Sequence, residues 1–111
     1  MNNLVNYWSA YIAGNFADSI LVWQRFLEIV GHLPGVTVIS SIKHDFPGGG
    51  FSGLILLSES HAAIHTWPEY STAWVELATC GDQKAIGVFR DRLVVFEANA
   101  ATPTAPLINQ D

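Results

Sequence analysis

Residues 57–81, LSESHAAIHTWPEYSTAWVELATCG, constrain the fold most, because they contain two extended segments on either side of a proline turn. Residues 61–66 and 71–80 are short runs rich in apolar and β-branched side chains, and Pro68 lies between them. Runs of this kind bounded by turn residues predict neighbouring strands. A purely structural strand pair alternates apolar and polar residues, whereas this region also concentrates a Glu-Ser pair, two histidines and the single cysteine of the chain.

Further strands are predicted on both sides of this region. Residues 36–44 are rich in β-branched side chains, and residues 51–58 are nearly all apolar, so we expect the latter to be buried on both faces. Residues 4–13 alternate imperfectly and predict a first strand that ends at Gly14. Residues 93–98 are again apolar and predict a last strand.

Two helices are predicted from capping residues and apolar spacing. Asp18 is well placed to cap the first helix, and Gly31 and Pro34 supply its stop signals. Its apolar residues recur at helical spacing: Ile20, Trp23, Leu27 and Val30, in a stripe widened by Val22, Phe26, Ile29 and Leu33. Asp82 can cap a second, short helix, in which Gly87 is an unfavourable residue.

The length of 111 residues predicts one domain, which we assign to residues 1–98. Residues 99–111 have two prolines, little periodicity and no charge before Asp111, so a disordered tail is expected there. Half of the residues are hydrophobic and 14% are charged, which indicates apolar surface beyond the needs of one core and favours a homo-oligomer.

Charge and cysteine content argue against several classes of protein. The net charge is −5 and Lys and Arg are not clustered, so nucleic acid is not an expected partner. A single cysteine cannot form an internal disulfide, and the first residues lack the pattern of a signal peptide, so a cytoplasmic location is expected. No apolar run approaches the roughly 20 residues that span a bilayer, so no membrane partner is expected.

The reactive side chains are compatible with a nucleophilic site, in which Ser60 or Cys80 has His65 as a nearby base. Each also has a structural interpretation: a lone cysteine is often a small buried hydrophobe, and a histidine in a strand often only satisfies a backbone partner. Ser60 is not in a G-x-S-x-G elbow, and no carboxylate is obviously paired with either histidine, which disfavours a serine hydrolase triad.

A metal site and two isolated residues have similarly open interpretations. His61 and His65 share a strand parity, and His44 and Cys80 are possible additional ligands, but the spacing is not H-E-x-x-H, so no metal is predicted. Glu69 has the default interpretation of a solvated surface acid. Phe46, before the Pro-Gly-Gly-Gly run, has that of a loop residue anchored in the core.

The motif S-E-S-H-x-x-I-H-T-W-P-E-Y, followed ten residues on by T-C-G, resembles the signature of the short bacterial and archaeal S-adenosylmethionine decarboxylases. These are pyruvoyl-dependent enzymes of spermidine synthesis. The resemblance is close over residues 36–81 and weak before residue 18 and after residue 91. It implies an α+β fold, a two-layer α/β sandwich in which an antiparallel sheet has helices packed on one face.

The resemblance also implies roles for the reactive residues. The precursor would cleave itself between Glu59 and Ser60, giving a β chain of residues 1–59 and an α chain of residues 60–111. Modified Ser60 would carry the pyruvoyl cofactor, whose ketone forms a Schiff base with the substrate. His65 would take the processing proton with assistance from Ser52, and Cys80 would return a proton to the α-carbon during decarboxylation.

Substrate binding and assembly are implied in the same way. Glu69 matches an acid that accepts the ribose hydroxyls, and Phe46 matches an aromatic residue that stacks on adenine, in a homodimer whose active sites draw on both protomers. The chain departs from the family at Ser71-Thr72, where Gly-Tyr is common, and at Glu76, where aspartate is common. These departures leave two alternatives: an ornithine or arginine decarboxylase on the same scaffold, and a binding module that does not process itself.

Overall fold

The structure is a computed structural model that describes residues 4–80 and 82–98. Its centre is one antiparallel sheet in the order β1-β5-β4-β3-β2. The strands are β1 (Asn6–Ala13), β2 (Val38–Asp45), β3 (Phe51–Leu57), β4 (His61–Trp67) and β5 (Thr72–Thr79). The helices are α1 (Ser19–Gly31), α2 (Lys84–Arg92) and α3 (Val94–Ala98), and Pro68–Tyr70 forms a 3₁₀ turn between β4 and β5. The expected α+β fold with an antiparallel sheet is confirmed.

Helix α1 forms where its capping signals predict it. The Asp18 carboxylate accepts a hydrogen bond from the backbone N–H of Leu21 at 3.0 Å, and the helix ends at Gly31. Its buried residues are Val22, Phe26, Ile29 and Val30. Ile20 is 66% exposed, so the apolar stripe that faces the core begins later than predicted. Trp23 packs against β3 at Gly53, where a Cβ atom would overlap the indole ring.

The helices cover only one face of the sheet. On β3, Phe51, Ile55 and Leu57 point to the helices and are buried, whereas Leu54 and Leu56 point the other way and are 46% and 51% exposed. The expectation that this strand is buried on both faces is therefore wrong, because within residues 4–80 and 82–98 no element packs on the second face. We call this second face the open face of the sheet.

The predicted strand at residues 93–98 is also wrong, because these residues form α3 and the end of the turn before it. Leu93 and Phe96 are both 3% exposed, and the Phe96 ring lies 5.6 Å from the Phe16 ring. A spacing of three residues puts both side chains on one side of a helix, whereas in a strand they would point to opposite faces. A short apolar run does not distinguish the two cases by itself.

Helix α2 is confirmed, although Asp82 lies one residue before the position that caps it. Gln83 occupies that position, and the Asp82 carboxylate accepts a hydrogen bond from the Lys84 N–H at 2.8 Å. Among the residues described, no helix is long and apolar enough to cross a membrane. The assignment of residues 1–98 to a single domain remains a prediction, and the tail predicted at residues 99–111 lies outside the described residues.

Candidate active site

One group of predicted site residues lies where β2, β3 and β4 approach the 3₁₀ turn. Ser52 and His65 are directly opposite each other on β3 and β4, and the Ser52 Oγ lies 2.7 Å from the His65 Nδ1. Both side chains point to the open face. They line a cavity of about 240 Å³ whose other walls are mostly apolar and include Ile42, Leu54 and Ala63. A serine hydroxyl held by an imidazole nitrogen is an arrangement that can move a proton.

The two predicted substrate-binding residues lie at the same end of the sheet. Phe46 follows the last residue of β2, is 42% exposed, and packs edge-on against His44 with ring centroids 5.3 Å apart. It is therefore not anchored in the core. Glu69 is exposed in the 3₁₀ turn that follows β4. We call Ser52, His65, Phe46 and Glu69 the His65 half-site.

A second group lies at the opposite end of β4. Glu59 and Ser60 form the turn between β3 and β4, where the Leu57 N–H donates a hydrogen bond to the Ser60 carbonyl at 2.9 Å. The Cys80 thiol, just beyond β5, donates to the Glu59 carbonyl oxygen at 3.4 Å. Cys80 is exposed, so the interpretation of this cysteine as a small buried hydrophobe is wrong. We call Glu59, Ser60 and Cys80 the Ser60 half-site.

The length of β4 separates the two half-sites within one chain. Ser60 immediately precedes the first residue of β4, and His65 lies five residues farther along the chain. An extended strand rises by about 3.3 Å per residue, so the two Cα atoms lie about 16 Å apart. The structure therefore brings Cys80 to the carbonyl of the Glu59–Ser60 peptide bond, and His65 to Ser52, but it does not bring Ser60 and His65 together.

A carboxylate-histidine pair that sequence reasoning missed lies beside the Ser60 half-site. The His61 Nε2 lies 2.8 Å from the Glu76 Oε2, a carboxylate partner that is not obvious from the sequence. His61 is opposite Ala78, and Glu76 is opposite Ala63, so the two side chains are diagonal neighbours on the open face. The pair follows from strand alternation once the register of β4 and β5 is known, and that register was not available from the sequence.

Two further donors hold the other oxygen of Glu76. The Tyr7 hydroxyl donates to Oε1 at 3.3 Å, and the Trp74 Nε1–H donates to it at 3.4 Å. Burial raises the pKa of Glu76, but the hydrogen bonds from His61, Trp74 and Tyr7 and the charge of His61 lower it, and its pKa is below its usual value. Glu76 is therefore ionised at neutral pH.

The histidines are not arranged as metal ligands. Across the two described ranges, no group of three or more His, Cys, Asp or Glu side chains could hold a metal ion. His61 is paired with Glu76, and His65 with Ser52, so the two histidines that share a strand parity belong to different clusters.

Comparison with known proteins identifies one family. A family model described as S-adenosylmethionine decarboxylase matches residues 13–102. Relatives named S-adenosylmethionine decarboxylase proenzyme include that of Fervidobacterium nodosum, 54% identical over 65 residues that cover 59% of this chain and 47% of the relative. That of Pseudomonas paraeruginosa is 48% identical over 82 residues, which cover 70% of this chain and 51% of the relative. The chain thus spans about half the length of the curated relatives that it matches.

A solved structure matches nearly the whole chain. The adenosylmethionine decarboxylase of Aquifex aeolicus aligns with a TM-score of 0.73 and 26% sequence identity, and the alignment covers 97% of this chain and 95% of that one. The relation in sequence is therefore accompanied by a relation in overall fold.

Proposed function

Because the chain belongs to the S-adenosylmethionine decarboxylase family, we propose that it removes the carboxyl group of S-adenosylmethionine with a pyruvoyl group made from its own Ser60. The observation that carries this proposal is the contact between the Cys80 thiol and the Glu59 carbonyl, since it joins the cysteine to the peptide bond that the motif marks for cleavage. The decarboxylated product would serve spermidine synthesis.

The surroundings of Ser60 suit self-cleavage. The Ser60 hydroxyl attacks the Glu59 carbonyl carbon, so that an ester bond forms and the amide C–N bond breaks. Loss of the Ser60 Cα proton then expels the Glu59 carboxylate, and hydrolysis of the resulting dehydroalanine releases ammonia and leaves the ketone. The Cys80 S–H already donates to the oxygen on which negative charge develops during the first attack, and such donors lower the barrier.

After cleavage, the pyruvoyl ketone supplies an electron sink for the electrons released as carbon dioxide leaves. Cys80 is suited to return a proton to the α-carbon, because its thiol is free, exposed and adjacent to residue 60. A thiol can act as the positioned general acid that this proton transfer needs. A free thiol in this role needs a reducing compartment, which supports a cytoplasmic location.

Phe46 and Glu69 are the proposed substrate-binding residues. The exposed Phe46 ring can stack on adenine, and an aromatic face also attracts the sulfonium of the substrate. Glu69 is exposed in a short turn, where its carboxylate is free to accept the ribose hydroxyls. Both residues lie in the His65 half-site, about 16 Å along β4 from the Ser60 half-site.

This separation supports a homodimer whose active sites combine residues of both protomers. A two-fold axis through the open face would bring the Ser60 half-site of one copy to the His65 half-site of the other, and symmetry would repeat the arrangement at the second site. The open face carries the apolar surface that such an interface needs, since Ile42 is 68% exposed beside Leu54 and Leu56. Burying these side chains against a second copy would remove them from water.

Two measurements test the proposed function. Intact-mass spectrometry of the purified chain should find two fragments separated between Glu59 and Ser60, and a single uncut species of 12.1 kDa would instead indicate a binding module. The cleaved protein should release labelled carbon dioxide from carboxyl-labelled S-adenosylmethionine. Release from labelled ornithine or arginine, with none from S-adenosylmethionine, would overturn the substrate assignment in favour of an amino-acid decarboxylase.

A further inference from the structure

Cleavage between Glu59 and Ser60 would turn residue 60 into the first residue of a new chain. The ends of chains are poorly ordered unless they are tied down. In the structure, the backbone holds this region through the Leu57 N–H bond to the Ser60 carbonyl and through the pairing of His61 with Leu56 and Ala78. A group that must meet a substrate in one geometry needs a firmer attachment than the frayed end of a strand.

The first residue of β4 has such an attachment through its side chain. The His61 Nε2 lies 2.8 Å from the Glu76 Oε2, and it donates to the carboxylate whether the ring is neutral with its proton on this nitrogen or fully protonated. Glu76 lies on β5, an inner strand of the sheet. Its second oxygen accepts from Tyr7 and Trp74, so the acceptor itself is held in place from β1 and from its own strand.

We propose that Glu76 is a positioning residue, which through His61 anchors the end of β4 that carries residue 60 after cleavage. The inference rests on the proposed function, because only cleavage creates a chain end there. Before cleavage, the peptide bond to Glu59 and the β3–β4 turn already restrain residue 60. The anchor therefore matters little for cleavage and strongly for turnover.

The solvent exposure of the His61–Glu76 pair determines how much kcat a Glu76 variant should lose. The His61 and Glu76 side chains are 42% and 22% exposed, so solvent weakens their interaction relative to a buried ion pair. Glu76→Gln keeps an acceptor of the same shape but removes the negative charge, and charged acceptors form stronger hydrogen bonds than neutral ones. We expect the variant to lower kcat by about fivefold and to change KM less, because the reacting group is less often in position.

Amide hydrogen exchange distinguishes a role of Glu76 in holding the cleaved end of β4 from a general structural role. In the cleaved protein, Glu76→Gln should speed exchange at residues 61–64 by about fivefold, since exchange reports local opening. In the uncleaved Ser60→Ala background, the same substitution should leave exchange at these residues nearly unchanged. Glu28→Gln is the matched control, because it removes the same charge from an exposed position on α1, on the other side of the sheet, and should leave exchange at these residues and kcat unchanged.

A second variant guards against an effect specific to glutamine. His61→Ala should lower kcat to a similar extent, and the double variant with Glu76→Gln should lose little more, because both changes remove one interaction. Equal acceleration of exchange in the cleaved and uncleaved backgrounds would overturn the proposal, and so would wild-type kcat in cleaved Glu76→Gln. The proposed function fails in a different way, through a wild-type protein that never cleaves.

Discussion

Co-expression of two inactive variants tests whether each active site combines two chains. Ser60→Ala removes the residue that becomes the cofactor but leaves Ser52 and His65 hydrogen bonded to each other. His65→Ala removes the proposed processing base but leaves the contact between Cys80 and the Glu59 carbonyl in place. In a mixed dimer, the Ser60 half-site of the His65→Ala chain meets the intact His65 half-site of its partner. We therefore expect the His65→Ala chain to be cleaved only when the two variants are made together.

The distance between the two half-sites sets the expected fraction of cleaved chains and the expected turnover. Because Ser60 and His65 lie about 16 Å apart in one chain, an intact His65 cannot serve the Ser60 of its own chain without a large rearrangement. Random pairing at equal expression gives mixed dimers as about half of all dimers, each with one complete site and one site that lacks both groups. About half of the His65→Ala chains should then be cleaved, and turnover per chain should be about one quarter of that of the wild-type protein.

The assay is intact-mass spectrometry with distinct affinity tags on the two chains, followed by release of labelled carbon dioxide. Each variant expressed alone should be uncleaved and should melt near the wild-type temperature, since both substitutions are at partly exposed positions. Native mass spectrometry confirms that mixed dimers are present. An uncleaved His65→Ala chain within such dimers would refute the shared site, and full cleavage of that chain alone would refute the role of His65.

Three other predictions concern single residues. Cys80→Ala should still cleave, although more slowly because the donor to the Glu59 carbonyl is lost, and the cleaved protein should lose most turnover. The loss should be at least about 100-fold if general-acid catalysis by the thiol has its usual size, and steady-state formation of decarboxylated product measures it, since protonation follows carbon dioxide release. Normal turnover would contradict the proton-donor assignment. Gly53→Ala should lower the free energy of unfolding by about 2 kcal/mol in urea titrations, because its Cβ would overlap Trp23, whereas Gly87→Ala, with no atom nearby, should raise it by about 0.5 kcal/mol. An equal response of the two variants would refute the packing argument. The pKa of Glu76 is lowered from 4.5, so its contribution to stability is complete above that pH and is lost as pH falls through its folded pKa. Glu76→Gln should therefore show a smaller loss of stability below pH 4.5 than the wild-type protein, and identical acid titrations would refute this.

Local signals account for the parts of the fold that the sequence predicts well. The Asp18 cap and the Gly31 stop act within a few residues, so α1 and its bounds could be predicted without tertiary information. The run at residues 93–98 carries no such signal, and its assignment depended on whether Leu93 and Phe96 share a face. Similarly, the apolar composition of β3 cannot reveal that helices cover only one side of it, because that depends on how many elements the chain supplies.

The candidate site shows the same division between local and non-local information. The motif singles out Ser60, His65 and Cys80 because they are close in the sequence, and closeness in the sequence suggests one cluster. In an extended strand, however, five residues span about 16 Å, so the same spacing that marks the motif separates its members. The His61–Glu76 pair has the opposite property, since its members are 15 residues apart in the chain and 2.8 Å apart in space. The strand that divides the two half-sites also contacts Glu76 through the side chain of its first residue, His61. The separation of the two half-sites along β4 therefore supports a second copy of the chain at each active site. The contact between His61 and Glu76 supports a firmly held position for residue 60, which would carry the cofactor.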